Sequence, residues 1–253
     1  MKSDTMYGFP LFTILFNLFA MISLTLLTIL IILIYGFAFF FLFLFLTMLY
    51  GYFFVIRFKT RFCDKRFKIL QKMIGETDIK GYEIILDLGT GAGYIAIGYA
   101  KKLDNGRVYG IDKYDLKPGG VLSKILDLVK INFFGNTIAN AKNNAVIEKQ
   151  QNKTDFLEAE LTKYFPFRNN SFDVVVASQF LYCVPQRKLK FVLSEINRVL
   201  KRGGVLVFFE SKRFFTWDLD QVVHFFKQKG YEDKILNLNE FQNKVIFKAR
   251  KPK

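Results

Sequence analysis

The chemistry in this chain gathers around Asp87-Leu88-Gly89-Thr90-Gly91-Ala92-Gly93. An apolar run, Glu83–Leu88, enters this glycine-rich turn, and a helix-compatible stretch, Tyr94–Leu103, leaves it. A turn of this kind between a strand and its helix lets a ligand approach backbone N–H groups. Asp112 ends the next apolar run, 19 residues after Gly93. There a carboxylate can accept hydrogen bonds from both hydroxyls of a ribose. The glycine spacing selects among nucleoside ligands. A dinucleotide fingerprint, G-x-G-x-x-G, needs its third glycine where Tyr94 stands, whereas Gly93 gives G-x-G-x-G. Other chemistries fail on residue count. One histidine (His224) and two cysteines (Cys63 and Cys183) cannot build a disulfide framework or a four-ligand zinc site, so no metal is expected. His224, among Val222, Val223, Phe225 and Phe226, reads as a packing residue, and Cys183 as a small buried hydrophobe.

The elements that must carry these residues alternate. Strands are expected at Glu83–Leu88, Arg107–Ile111, Lys153–Leu157, Asp173–Ala177 and Val205–Phe209, the last after a Gly203-Gly204 turn. Helices are expected at Tyr94–Leu103, Thr137–Glu148, Leu189–Leu200 and Trp217–Lys229, with a closing strand pair at Tyr231–Leu238 and Lys244–Ala249. The Asp173–Ala177 run is continuously apolar, as in a sheet covered on both faces. The pattern predicts an α/β fold with a doubly wound, mostly parallel, seven-stranded Rossmann-like sheet and an antiparallel last strand. Residues 115–134 interrupt the alternation with an amphipathic stretch, suited either to a membrane interface or pocket lid or to ordinary packing.

Residues 84–112, IILDLGTGAGYIAIGYAKKLDNGRVYGID, resemble the cofactor-binding start of class I S-adenosylmethionine-dependent methyltransferases. PFRNNSFDVVVAS (166–178) and EINRVLKRGGVLVFFE (195–210) resemble the same family's fourth strand and its "LKPGG" turn, with Arg202 in place of the proline. GID followed by Tyr114, then GNT at 135–137, resembles prokaryotic small-molecule methyltransferase-like proteins. The resemblance covers roughly residues 70–250. It implies S-adenosyl-L-methionine as cofactor, with Gly89, Thr90, Gly91 and Gly93 around its methionine part. Asp87 would lie beneath, orienting the loop or meeting the amino group. Asp112 would take the ribose hydroxyls and Lys113 would follow the adenine face. Glu160 is the candidate for the adenine amino group, with Asp155 and Glu158 as rivals. Ser178 and Gln179 would lie near the transferring methyl. Tyr114 and Tyr182 are candidates for the acceptor side, Tyr182 being equally suited to capping the strand. No residue stands out as a general base, which favours an acceptor that is already nucleophilic or ionises easily.

The remaining feature is a gross asymmetry. The formal net charge is +15, yet residues 5–56 carry no charged side chain. As one helix, residues 9–56 would be about 72 Å long, against a bilayer core of about 30 Å. Residues 1–56 are therefore expected to be a membrane anchor of two transmembrane helices, about 11–34 and 37–56, turning at Tyr35-Gly36, or a shallower re-entrant hairpin. The segment is too long for a signal peptide and has no small-residue cleavage site. Residues 57–80 form a basic juxtamembrane linker, and 81–253 the catalytic domain. Arg57, Lys59, Arg61, Lys65, Arg66 and Lys68 against Asp64 place that domain on the cytoplasmic side and could hold anionic lipid. No nucleic-acid motif accompanies the charge. The expected protein is an integral membrane methyltransferase with a small-molecule or lipid acceptor. A membrane-anchored, non-catalytic cofactor-binding scaffold and a NAD-dependent oxidoreductase are the other readings.

Overall fold

A computed structural model describes residues 10–35, 40–59, 65–114, 136–211, 219–238 and 244–253. The amphipathic stretch at 115–134, the turn at Gly36, Cys63 and Trp217 lie outside the described residues. The chain divides into two compact units, Phe9–Ile69 and the remainder.

The first unit holds α1 (Pro10–Tyr35) and α2 (Phe40–Lys59), packed on one another. Their described side chains are mostly exposed and apolar, Leu18, Phe19, Leu26, Phe41, Phe45 and Phe53 among them. The polar interruptions are satisfied locally. The hydroxyls of Thr25, Thr28 and Thr47 donate to the carbonyls of Met21, Leu24 and Phe43, four residues back, at 2.8, 2.6 and 2.7 Å. Over the described residues alone, no helix is long and apolar enough to cross a membrane. The membrane-spanning hairpin expected from the sequence is thus not shown by the structure.

Helix α3 (Lys65–Gly75) spans the boundary, and the second unit continues with β1 (Ile84–Leu88), α4 (Tyr94–Ala100), β2 (Arg107–Asp112), α5 (Ile138–Ile147), β3 (Thr154–Glu158) and β4 (Phe172–Ser178). A 3-10 turn at Leu181–Cys183, α6 (Gln186–Val199), β5 (Leu200–Ser211), α7 (Leu219–Gln228), β6 (Glu232–Asn237) and β7 (Lys244–Arg250) complete it. The seven strands lie in the order β3-β2-β1-β4-β5-β7-β6. β3 through β5 pair in parallel, and β7 runs antiparallel to both β5 and β6. Ile85, Leu86 and Leu88 of β1 and Val174–Ala177 of β4 are buried, as central strands covered on both faces must be. The chain winds outward from β1 in both directions, so the C-terminal ends of β1 and β4 flank the switch point where such sheets bind ligands.

One expectation is corrected here. Gly203-Gly204 is not a turn ahead of the fifth strand, because β5 already begins at Leu200. The pairing jumps from Phe172↔Leu200 to Val174↔Val205, so the glycines sit in a bulge. Gly203 has φ +74° and donates its N–H to the Lys251 carbonyl at 3.1 Å. Arg202, where the family pattern has proline, therefore lies inside a strand.

Candidate active site

The glycine loop leaves β1 and is held from three sides. From below, the Asp87 carboxylate accepts the Thr90 hydroxyl at 2.7 Å and the Ala96 N–H at 3.1 Å, both on Oδ2. Asp87 is buried, which pushes its pKa up to about 7 despite those two bonds, and the nearby Asp112 charge pushes the same way. Of the two roles open to Asp87, loop orientation is the one its hydrogen bonds describe. From β2, the Ile111 carbonyl accepts the N–H groups of Gly89 and Thr90 at 2.9 and 3.2 Å. From α5, the fully buried Asn144 donates its Nδ2 to the Ala92 carbonyl at 2.9 Å.

The loop follows a path that side chains would block. Gly89 has φ +69°, and a Cβ there would come within 2.8 Å of the Phe180 ring. Gly93, at φ +84°, meets Phe156 in the same way at 2.9 Å. Asn136, from the GNT stretch, lies against Gly91.

Asp112 completes this side of the site. Its Oδ2 accepts the Gly91 N–H at 2.9 Å and its Oδ1 the Tyr114 N–H at 3.0 Å. Each oxygen keeps a lone pair, so the carboxylate can still take two donors from a ligand. Tyr114 has φ +53°, an uncommon conformation for a bulky residue. Its hydroxyl is buried without a hydrogen-bond partner among the described residues. Burial raises its pKa, and the carboxylates of Asp112, Asp87 and Glu158 add to that. An unmet buried donor beside a carboxylate with spare lone pairs is a polar cradle for a ligand.

The three acids proposed for the adenine side separate cleanly. Asp155 lies in the N-terminal half of β3, paired with Arg107 at 2.9 Å, away from the ligand-binding ends of the strands. Glu158 stands directly opposite Asp112 in the β2–β3 register and is exposed. Glu160 lies just beyond, but its carboxylate accepts from Lys163 at 2.7 Å and the Thr162 hydroxyl at 3.0 Å. The Lys163 hydrogen bond is the main cause of its lowered pKa. Lys113 is half-exposed and 3.9 Å from the same Glu160 carboxylate.

On the other side of the switch point, Ser178 ends β4 half-buried. Gln179 is exposed at φ +54°, its N–H bonded to the Phe209 carbonyl at 2.8 Å. Tyr182 and Cys183 follow on the 3-10 turn, both exposed. The Cys183 expectation is therefore corrected, since the residue lies on the rim and not in the core. Partial burial of the thiol still raises its pKa. His224 is likewise not packed in the core. It faces solvent on α7, with its Nε2 2.8 Å from Gln228 Nε2.

The sequence reading missed Asn144, Phe180 and Glu210. Asn144 and Phe180 clamp the loop. Glu210, at the end of β5, is buried and holds the segment after β4, as described below. Asn144 lies in the expected helix Thr137–Glu148 and Glu210 ends the stretch 195–210 that resembles the family, but neither carries a signal of its own in the sequence.

Comparison with known proteins bears on the fold that carries this site. Residues 118–208 match a methyltransferase domain family, a span that follows the glycine loop and runs through β5. A relative, the probable methyltransferase ltbC of Aspergillus luteorubrus, is 29% identical over 129 residues, covering 51% of this chain and 40% of that protein. The chain thus spans about two fifths of that relative's length. Phosphoethanolamine N-methyltransferase 2 of Haemonchus contortus, solved with S-adenosyl-L-methionine, is 17% identical with a TM-score of 0.56, over 74% of this chain and 53% of that one. The YcgJ protein of Bacillus subtilis gives 0.55 at 13% identity, over 73% and 98%. The (4+2)-cyclase SpnF gives 0.54 at 18% identity, over 73% and 80%. The fold of the second unit is that of class I S-adenosylmethionine-dependent methyltransferases.

Proposed function

We propose that this protein is a membrane-anchored methyltransferase that binds S-adenosyl-L-methionine and methylates a small, lipophilic acceptor. The observation that carries the cofactor reading is the Asp112 carboxylate, fixed by the Gly91 and Tyr114 N–H groups with a lone pair spare on each oxygen. The donor and acceptor set fits the cofactor, because Asp112 keeps lone pairs for ribose hydroxyls and the Tyr114 hydroxyl is buried without a hydrogen-bond partner among the described residues. Asp112 would take the ribose hydroxyls, and Gly89, Thr90, Gly91 and Gly93 would surround the methionine part. Glu160, or its rival Glu158, would take the adenine amino group. Bound there, the cofactor supplies a methyl group on a sulfonium, already an excellent leaving group. The residues then have to align the acceptor and keep water out, which can lower the barrier by several kcal/mol. Ser178, Gln179, Tyr114 and Tyr182 would serve that task.

The anchoring reading rests on residues 5–56, which are free of charge, and on the two apolar helices α1 and α2. The basic stretch Arg57–Lys68 would hold the catalytic domain on the cytoplasmic side, against anionic lipid. A bilayer-held site favours an acceptor dissolved in the bilayer, such as a lipid or an isoprenoid- or quinone-like molecule.

A (4+2)-cyclase shares the fold, so the fold alone does not imply methyl transfer, and a second reading is a cofactor-binding protein that transfers no methyl group. Calorimetry on the detergent-solubilised full chain separates the readings. The methyltransferase reading expects micromolar binding of S-adenosylmethionine and S-adenosylhomocysteine, lost in Asp112→Ala, and methyl transfer to extracted membrane lipids. Binding without transfer to any lipid fraction favours the second. Binding of NAD alone overturns both.

A further inference from the structure

Glu210 closes β5 with its side chain 1% exposed. Its Oε1 accepts two backbone N–H groups, Phe180 at 2.8 Å and Leu181 at 2.7 Å. Its Oε2 is buried without a hydrogen-bond partner among the described residues. A buried carboxyl with an unmet oxygen is costly, and an apolar side chain would fill the space at less cost. The two N–H bonds show what it secures. They hold the segment that begins at left-handed Gln179, lays Phe180 against Gly89, and continues into the turn bearing Tyr182 and Cys183.

We infer that Glu210 is the positioning residue of the acceptor-side rim: by fixing the Phe180 and Leu181 N–H groups it seats Phe180 on Gly89 and ties the rim to the cofactor loop. The naming of the two sides rests on the methyltransferase reading, while the mechanical link does not. Among the described residues, three titratable groups interact with Glu210. Lys244, from β7, favours its ionised form; on the turn, burial raises the Cys183 pKa and the Cys183 hydrogen bond that of Tyr182, and the Glu210 charge adds to both. Burial outweighs Lys244 and both N–H bonds and pushes the Glu210 carboxyl up to about 8. The carboxyl is therefore mostly neutral at pH 7, and its ionisation acts on the Cys183 thiol.

The test uses the full chain in detergent, carrying Cys63→Ser so that Cys183 is the sole thiol. Iodoacetamide alkylation of Cys183 is followed from about pH 6.5 to about pH 9.5, since its rate tracks the thiolate. S-adenosylhomocysteine affinity is measured alongside. Glu210→Gln keeps an oxygen for both N–H groups but cannot ionise. It should leave alkylation unchanged at the acid end, shift the profile to lower pH, and hold affinity within about twofold. Glu210→Met removes the acceptor oxygen. It should speed alkylation about tenfold at every pH and weaken S-adenosylhomocysteine binding about tenfold. A folded Glu210→Met protein alkylated at the parent rate, or a Glu210→Gln profile that superimposes on the parent's, overturns the proposal. If Glu210→Met does not fold, the Glu210→Gln profile decides alone. Should the parent fail to bind S-adenosylhomocysteine while both alkylation shifts appear, the methyltransferase reading falls and the link stands.

Discussion

The carboxylate of Asp112 accepts the backbone N–H of Gly91 at 2.9 Å, which ties the end of β2 to the loop after β1. One side chain thus shapes the loop and presents its remaining lone pairs to the site. Replacing it should cost more than the loss of a ligand contact. Each charge-assisted hydrogen bond is worth about 1.5–3 kcal/mol. Asp112→Ala is expected to weaken S-adenosylhomocysteine binding by about 2–4 kcal/mol, roughly 30- to 1000-fold. Asp112→Asn keeps one acceptor oxygen and should fall between the two. Equal affinities for all three proteins, measured by calorimetry, would show that the ligand does not meet this side chain.

Asp87 gives the fold a pH dependence of unusual sign for an aspartate. Its folded pKa is raised to about 7 from 3.8, so between those values the folded chain holds more protons than the unfolded one. The stability it contributes is fully present below about pH 4 and is lost as pH rises to about 7. Glu210, raised from 4.5 to about 8, adds to the same trend. Asp87→Asn preserves an oxygen for Thr90 and Ala96 but does not titrate. Its melting temperature should therefore gain on the parent's between about pH 4 and pH 7, by several degrees. A constant difference across that range would mean that Asp87 is ionised in the folded protein.

The anchor is tested by partition. Residues 18–30 and 41–53 of α1 and α2 include Leu, Ile and Phe side chains largely exposed to their surroundings, among them Leu33's neighbour Leu30 at 51% and Phe45 at 61%. Burial of apolar surface is worth about 25 cal/mol per Å², so water is a poor environment for such helices. The full chain is expected to stay with membranes after an alkaline carbonate wash. In sealed vesicles with the cytoplasmic face outward, protease should reach the catalytic domain. The sequence carries two N-x-S/T glycosylation sequons, Asn152-Lys153-Thr154 and Asn169-Asn170-Ser171; if either became glycosylated in a eukaryotic host, the domain would lie on the opposite side.

Much of this architecture is legible in the residues, for definite reasons. Buried parallel strands need continuous apolar runs, so the expected Asp173–Ala177 falls within a residue of the observed limits of β4, Phe172–Ser178. Glycine at 89, 91 and 93 marks positive φ, and Asp112 falls at a strand end that the alternation alone locates. Residues whose role depends on partners distant in sequence are harder to find. Glu210 looks like a surface carboxylate until Phe180 and Leu181, some thirty positions earlier, are seen to bond it. Asn144 acts across 52 positions on the Ala92 carbonyl. His224 and Cys183 sit among apolar neighbours in sequence, yet the helix phase of α7 and the turn after β4 turn them outward.

The contact between Gly89 and Phe180 can be tested by a double-mutant cycle. Gly89→Ala introduces a Cβ at positive φ and drives it to within 2.8 Å of the Phe180 ring. The backbone conformation alone costs an alanine about 1 kcal/mol, and the clash adds to that. Gly89→Ala should thus destabilise the protein by about 2–4 kcal/mol and abolish measurable S-adenosylhomocysteine binding. Phe180→Ala leaves a cavity but opens the space the new methyl needs. In the double variant the steric part should vanish and the backbone part remain, giving a coupling of about 1–2 kcal/mol. Strict additivity in urea unfolding would mean that the ring moves aside without cost, and that the rim and the loop are not joined through this pair.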